Sequence, residues 1–141
     1  MQTTAILVGA LMLVQACSGV TEPAVFSVQC HCSIVQLIAD PERYSGKRVR
    51  VIGVLIPVEH STGVGQLYLS EDDARYINDA NSIFVDTRNG SNSEVPPLSS
   101  VTGKFVAVEG VFTVQGEQLT IESVHNVRVL PPLALNNSRF E

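Results

Sequence analysis

The sequence is short of charge and has no apolar segment long enough to cross a membrane as a helix. Asp, Glu, Lys and Arg make up 16% of its 141 residues, against roughly 25% in an average soluble domain. Residues 1–16 carry no charged side chain at all, so part of that deficit does not belong to a folded surface. The net charge is −5, which removes the electrostatic reason to sit on nucleic acid, whose phosphates demand basic neutralisation. The longest apolar run covers ten residues, about half of the ~20 that a spanning helix needs. No nucleophile elbow, phosphate-binding glycine loop or paired metal-ligand motif occurs. Enzymatic chemistry therefore has no local signature, and no cofactor is expected. What is present is apolar content of 45%, enough to fill one core in a chain with room for one domain.

The ten-residue run, Ala5 to Val14, has the length of a signal-peptide core. Val14-Gln15-Ala16-Cys17 resembles a bacterial lipobox, where cleavage before the cysteine is coupled to its acylation. Residues 1–16 are thus expected to be a lipoprotein signal peptide and 17–27 a tether starting at a lipidated Cys17. Met1-Gln2-Thr3-Thr4 departs from the pattern, lacking the usual Lys or Arg. Several acyl chains on one residue anchor stably where a single chain is marginal. The resemblance, with Ser18 after the cysteine, implies the periplasmic side of an outer membrane in a Gram-negative cell.

The domain is expected over residues 28–130, with a flexible tail at 131–141. Ser27 to Ala39 reads as a short helix, from the recurrence of Val28, Cys32, Val35 and Ile38 or Ala39, widened by Ile34 and Leu37. Asp40 to Ser45 reads as one helical turn, with Asp40 to cap it and Pro41 at its first position. Five strand signals follow: Arg48 to Val58, Gln66 to Ser70, Ser82 to Thr87, Lys104 to Val114 and Gln118 to Leu130. Asp72 to Ile77 suggests a helical turn, Arg88 to Ser100 a long loop, and Gly116 a hairpin turn.

One internal echo stands out. Gly46 to Leu55 (GKRVRVIGVL) and Gly103 to Phe112 (GKFVAVEGVF) agree at six of ten positions, 57 residues apart. Alternation turns Val49, Val51, Leu55, Val106, Val108 and Phe112 inward, and Arg48, Arg50, Ala107 and Glu109 outward. Gly53 and Gly110 fall on the inward face, where glycine permits a sharp bend or a close backbone approach.

The segment from Leu37 to Gly53 (LIADPERYSGKRVRVIG) resembles the opening of a family of small, mostly exported bacterial proteins with OB-like domains. Leu67-Tyr68-Leu69-Ser70, Ile83-Phe84-Val85-Asp86 and Gly103 to Gly110 continue the likeness, which covers about residues 33 to 130. It implies an all-β fold, a five-stranded OB-like Greek-key barrel with a short N-terminal helix. It implies no activity, because fold does not carry function.

Cys30-His31-Cys32 is the most chemically suggestive triplet. A disulfide suits an oxidising envelope once Cys17 is spent on lipid. Bridging so close a pair closes an eleven-membered ring, which favours a labile bond. Free thiols remain open as an alternative, and so does a metal site, although zinc wants four ligands and His60 and His125 fall elsewhere. Arg43, Lys47, Arg48 and Arg50 cluster within eight positions. OB-folds that bind single strands join such a stripe to stacking aromatics, here Tyr68 and Phe84. Asp72, Asp73, Asp79 and Asp86 crowd those strands, which carry no base of their own. The first two and Asp86 would need further groups to make a calcium or acid–base site, and no arginine lies on the Asp86 strand.

The expected role is a non-catalytic binding module, anchored to membrane by lipid, with an envelope protein or glycan as partner. Its candidate face comprises His60, Tyr68, Phe84, Arg48 and Arg50, with the His60 to Gly65 loop and the Gln115 to Gln118 turn beside it. The alternatives are an OB-fold that binds nucleic acid or oligosaccharide, and a thiol or metal protein built on Cys30, His31 and Cys32.

Overall fold

A computed structural model describes residues 27–59, 62–90 and 95–131. The expected signal peptide, Cys17, nearly all of the tether, His60 and the tail beyond Pro131 lie outside the described residues. The chain enters through β1 (Cys30–His31), α1 (Ile34–Ala39) and α2 (Pro41–Tyr44), then forms β2 (Arg48–Pro57) and β3 (Val64–Tyr68). After α3 (Glu71–Arg75) and a 3-10 turn (Asp79–Asn81) come β4 (Ser82–Asp86), a second 3-10 turn (Leu98–Val101), β5 (Phe105–Gln115) and β6 (Gln118–Val129). The fold is mostly β, as the alternating runs predict.

β2 pairs antiparallel with β3 and with β5, β3 with β4, and β5 with β6, while β4 and β6 run parallel. The pairing therefore returns to β2, and five strands form a ring. Antiparallel pairing reverses direction at every step, so a ring with an odd number of members needs an odd number of parallel steps. The short β4–β6 contact, Phe84 to Thr120 and Val85 to Ile121, is that step. β1 lies parallel to β2 at Val49 and Arg50, on the stretch of edge that β3 leaves open. It is a sixth strand that the five predicted runs do not include.

The echoed segments are partners. Val51 faces Val108, Val49 faces Gly110 and Gly53 faces Val106, so the repeat is a local pseudo-twofold about the Val51–Val108 pair. The hydrogen bonds repeat as well. Gly46 N donates to Phe112 O at 2.7 Å and Phe112 N to Lys47 O at 2.9 Å. Across the axis, Gly103 N donates to Leu55 O at 2.8 Å and Leu55 N to Lys104 O at 3.3 Å.

All six residues expected inward from the echo are fully buried, with 0% exposure. Ile34, Leu37, Leu67, Ile83, Val85 and Ile121 pack in the same core with them. Gly53 and Gly110 sit where a neighbouring strand leaves no room for a side chain. A Cβ on Gly53 would lie 2.6 Å from Tyr68 O, and one on Gly110 would lie 2.6 Å from Ile121 Cγ2 and 2.7 Å from Glu122 O.

Four expectations are corrected. The N-terminal helix starts at Ile34, not Ser27, because Ser33 and Gln36 form a capping box and the segment before it pairs with β2. Val35, expected in the apolar stripe, is 53% exposed, while Ile34 and Leu37 make the buried face. β3 begins two residues earlier than expected and ends at Tyr68, because Ser70 leaves the strand to cap α3, its Oγ accepting from Asp73 N at 3.1 Å. Ala107, expected outward, is buried, a small side chain in register between Ile52 and Arg128. The predicted 88–100 loop also carries Leu98 back into the core on its 3-10 turn.

Gly110→Ala places a carbon against backbone oxygen that cannot yield cheaply. Urea denaturation is expected to show a loss of about 1–3 kcal/mol of unfolding free energy. An unchanged midpoint would mean that the Glu122 carbonyl yields easily there.

Candidate functional site

The outer faces of β3 and β4 form the floor of a groove. Gln66 and Phe84 stand opposite each other in the ladder and point outward, alternating with buried Leu67, Ile83 and Val85. The 3-10 turn at Asp79–Asn81 walls one side, and the β5–β6 turn, reversing at Gly116 with φ +62°, brings Glu117 and Gln118 to the other. The groove holds about 520 Å³ and is lined by Ile38, Gln66, Asp79, Ser82, Phe84 and Gln118, among others.

Its polar groups are pre-set by one carboxylate. Gln66 Nε2 donates to Asp79 Oδ1 at 2.9 Å and to Ser82 Oγ at 2.7 Å, while the Tyr68 hydroxyl donates to the same Asp79 oxygen at 3.2 Å. Burial first, then the hydrogen bond and charge of Asp79, raise the Tyr68 pKa above its ordinary value. The phenol therefore stays neutral and continues to donate. Among the described residues no Lys or Arg lines this groove, and its ionisable groups, Asp79 and Glu117, are acidic.

Tyr68 is only 3% exposed, so it is not the stacking platform the sequence suggested. It faces outward beside Val54, and α3 packs against both strands. Phe84 does reach the groove. Arg48 and Arg50 do not join it. Arg48 is bound to the lead-in segment, Nε donating to Ser27 O at 2.6 Å and its backbone N to Gln29 Oε1 at 3.1 Å. Arg43 and Lys47 lie 5.7 and 5.8 Å from the centre of the Tyr44 ring. The basic cluster is thus dispersed over three places and is not a stripe. Gln66, Asp79 and Ser82 were not singled out from sequence. The correct register of β3 would have paired Gln66 with Phe84, whereas no local pattern marks Asp79.

Arg50 borders a second recess, of about 350 Å³, with His31, Cys32, Ser33, Gln36 and an apolar floor of Ile34, Ile52 and Leu69. Cys32, which borders it, is joined to Cys30 by a disulfide across His31, with Cα atoms 5.4 Å apart. Arg50 Nε is buried without a hydrogen-bond partner. A third groove, of about 780 Å³, runs past Ile52, Phe105 and Val129, which are 48%, 39% and 40% exposed.

The candidate carboxylates are held separately. Arg88, just past the end of β4, forks onto Asp86, Nε to Oδ1 at 3.0 Å and a terminal nitrogen to Oδ2 at 2.9 Å. That pairing lowers the Asp86 pKa and supplies the arginine that the strand itself lacks. Asp73 accepts from Ser70 Oγ at 2.8 Å, Asn78 Nδ2 at 2.9 Å and Asn81 Nδ2 at 3.2 Å, which lowers its pKa. Among the described residues no three His, Cys, Asp or Glu side chains gather as a metal site.

No family model matches the chain, and no curated protein matches it in sequence. Among solved structures it is similar to a DUF3299 family protein from Pseudomonas aeruginosa, at 13% identity and a TM-score of 0.42, over 63% of this chain and 64% of that one. It is also similar to a chain described as an aspartyl-tRNA synthetase from Leishmania major, at 11% identity and a TM-score of 0.42, over 77% of this chain and 22% of that one. The match spans less than two thirds of either protein, and at these scores neither lends the chain an activity.

Because Asp73 is more acidic folded than unfolded, its stabilisation is present above the unfolded carboxylate pKa and is lost as pH falls through the depressed folded value. Asp73→Asn is expected to lower the thermal midpoint at pH 7, with the gap to the parent closing in acid. A gap independent of pH would show that the carboxylate charge does not hold the α3 turn.

Proposed function

We propose that the chain is a lipid-anchored, non-catalytic binding protein of a bacterial envelope whose OB-like barrel holds a neutral glycan over Phe84. The lipobox-like Val14 to Cys17 segment supports the anchor. The five-membered ring with its single parallel step supports the finer reading of a Greek-key barrel of the OB kind.

One observation carries the ligand class: the groove joins an aromatic ring to pre-positioned amide, hydroxyl and carboxylate groups and contains no cation among its described residues. Sugars present apolar C–H faces edged with hydroxyls that both donate and accept, and such a lining complements them. A polyanion would meet Asp79 and Glu117 unopposed, which makes nucleic acid the weaker alternative. The exposed Ile52, Phe105 and Val129 favour a second reading, an envelope protein docked on that apolar face.

The neutral N-acetylglucosamine tetramer is a suitable probe, titrated calorimetrically against the full chain. Binding is expected, weakened roughly tenfold or more by Phe84→Ala, since a buried aromatic contact contributes about 1.5–3 kcal/mol. Arg50→Gln, outside the groove, should bind like the parent. Heat that is absent, or unaffected by Phe84→Ala, would remove this groove as the site; cleavage of the tetramer would make the protein an enzyme.

A further inference from the structure

The recess beside Arg50 shares no lining residue with the glycan groove. Its position follows from the β1–β2 register, which sets Cys30 opposite buried Val49 and His31 opposite Arg50. Strand alternation turns the second pair the other way, so His31 and Arg50 stand side by side on the outer face. The segment that carries His31 is pinned along β2. Gln29 N donates to Arg48 O at 2.8 Å and Cys32 N to Arg50 O at 3.1 Å, and the Cys30–Cys32 disulfide spans His31 between them. The capping box contributes as well. Gln36 Oε1 accepts from Ser33 N at 2.8 Å, so the end of its amide left over is a donor.

The recess thus offers donors and no carboxylate. Its ionisable lining groups are His31 and Arg50, and no Asp or Glu borders it among the described residues. Arg50 Nε is buried without a hydrogen-bond partner. Glu109 faces Arg50 from β5, yet it forms no ion pair with Arg50 and does not line the recess. A guanidinium partly withdrawn from water without a counterion costs free energy, which an anion on its outer nitrogens offsets. The rest of the lining is apolar, with Ile52 48% exposed and Leu69 half-buried beside the cation.

We propose that this recess binds a small, singly charged carboxylate with an apolar body. The carboxylate takes the fork of Arg50, which matches its two oxygens, and His31 and Gln36 donate around it. The apolar body covers Ile52 and Leu69. At about 350 Å³ the recess admits a small molecule and is too small for a folded partner. A second negative charge would find one guanidinium already faced by Glu109, which selects the monoanion over phosphate.

Calorimetric titration of the full chain with octanoate tests this. Octanoate is expected to bind, and butanoate to bind at least tenfold more weakly, because each buried methylene contributes about fourfold in affinity. Octanol lacks the charge and phosphate lacks the apolar body, so each should also lose tenfold or more. Arg50→Gln should weaken octanoate by at least tenfold, and Arg50→Lys, which keeps the charge without the fork, should recover only part. No heat with octanoate would overturn the proposal. So would octanol or phosphate binding as tightly as octanoate, or an octanoate affinity that Arg50→Gln leaves unchanged. The ligand series on the parent decides the matter even where a variant does not fold. Phe84→Ala should leave octanoate binding intact, so this proposal and the glycan reading fail separately.

Discussion

Everything else in the fold depends on β2 being paired along both edges. β5 covers one edge from Arg48 to Val54, while β1 and β3 divide the other, at Val49–Arg50 and Val54–Pro57. That double pairing closes the ring and seals Val49, Val51 and Leu55 inside it. It also sets the two candidate sites. β3 departs from β2 late, carrying Gln66 toward β4 and Phe84. β1 fills the space left behind and sets His31 opposite Arg50 and Cys30 opposite buried Val49. The pleat does the rest, since residues that alternate with a packed interior must face out.

The interior was legible in the sequence because period-two alternation in β-branched residues marks a strand with one buried face and fits no helix. The GKxVxVxGV echo was legible as a repeat, but its meaning was not. Only the antiparallel register, with Val51 against Val108, turns it into a twofold in which each glycine faces the other segment's valine. Other features were set by contacts distant in sequence. The Ser33 capping box and the pairing of Cys30–His31 with β2 overrode the apolar recurrence that suggested a helix from Ser27. Tyr68 reads as a surface aromatic until α3 packs against its strand. Asp79 gave no signal because its role is to accept from Gln66 and Tyr68 across the fold.

The two sites have opposite electrostatics although the domain is small. The groove over Phe84 carries Asp79 and Glu117, and the recess beside the disulfide carries His31 and Arg50. Several other charges are engaged locally, Asp86 by Arg88, Asp73 by its amides and hydroxyl, and Arg48 by Ser27. In the groove, Asp79 holds the amide of Gln66 and the hydroxyl of Tyr68 in place for neutral hydrogen bonding.

The proposed function has one condition, that the chain leaves the cytoplasm. Envelope glycan is found only outside it, and a stable Cys30–Cys32 bridge requires an oxidising compartment. The intact mass of the protein purified from membranes of its own host tests that condition directly. Loss of residues 1–16 and acyl mass added at Cys17 are the expected result. A soluble, unacylated chain that retains Met1 and carries free thiols at Cys30 and Cys32 would contradict it.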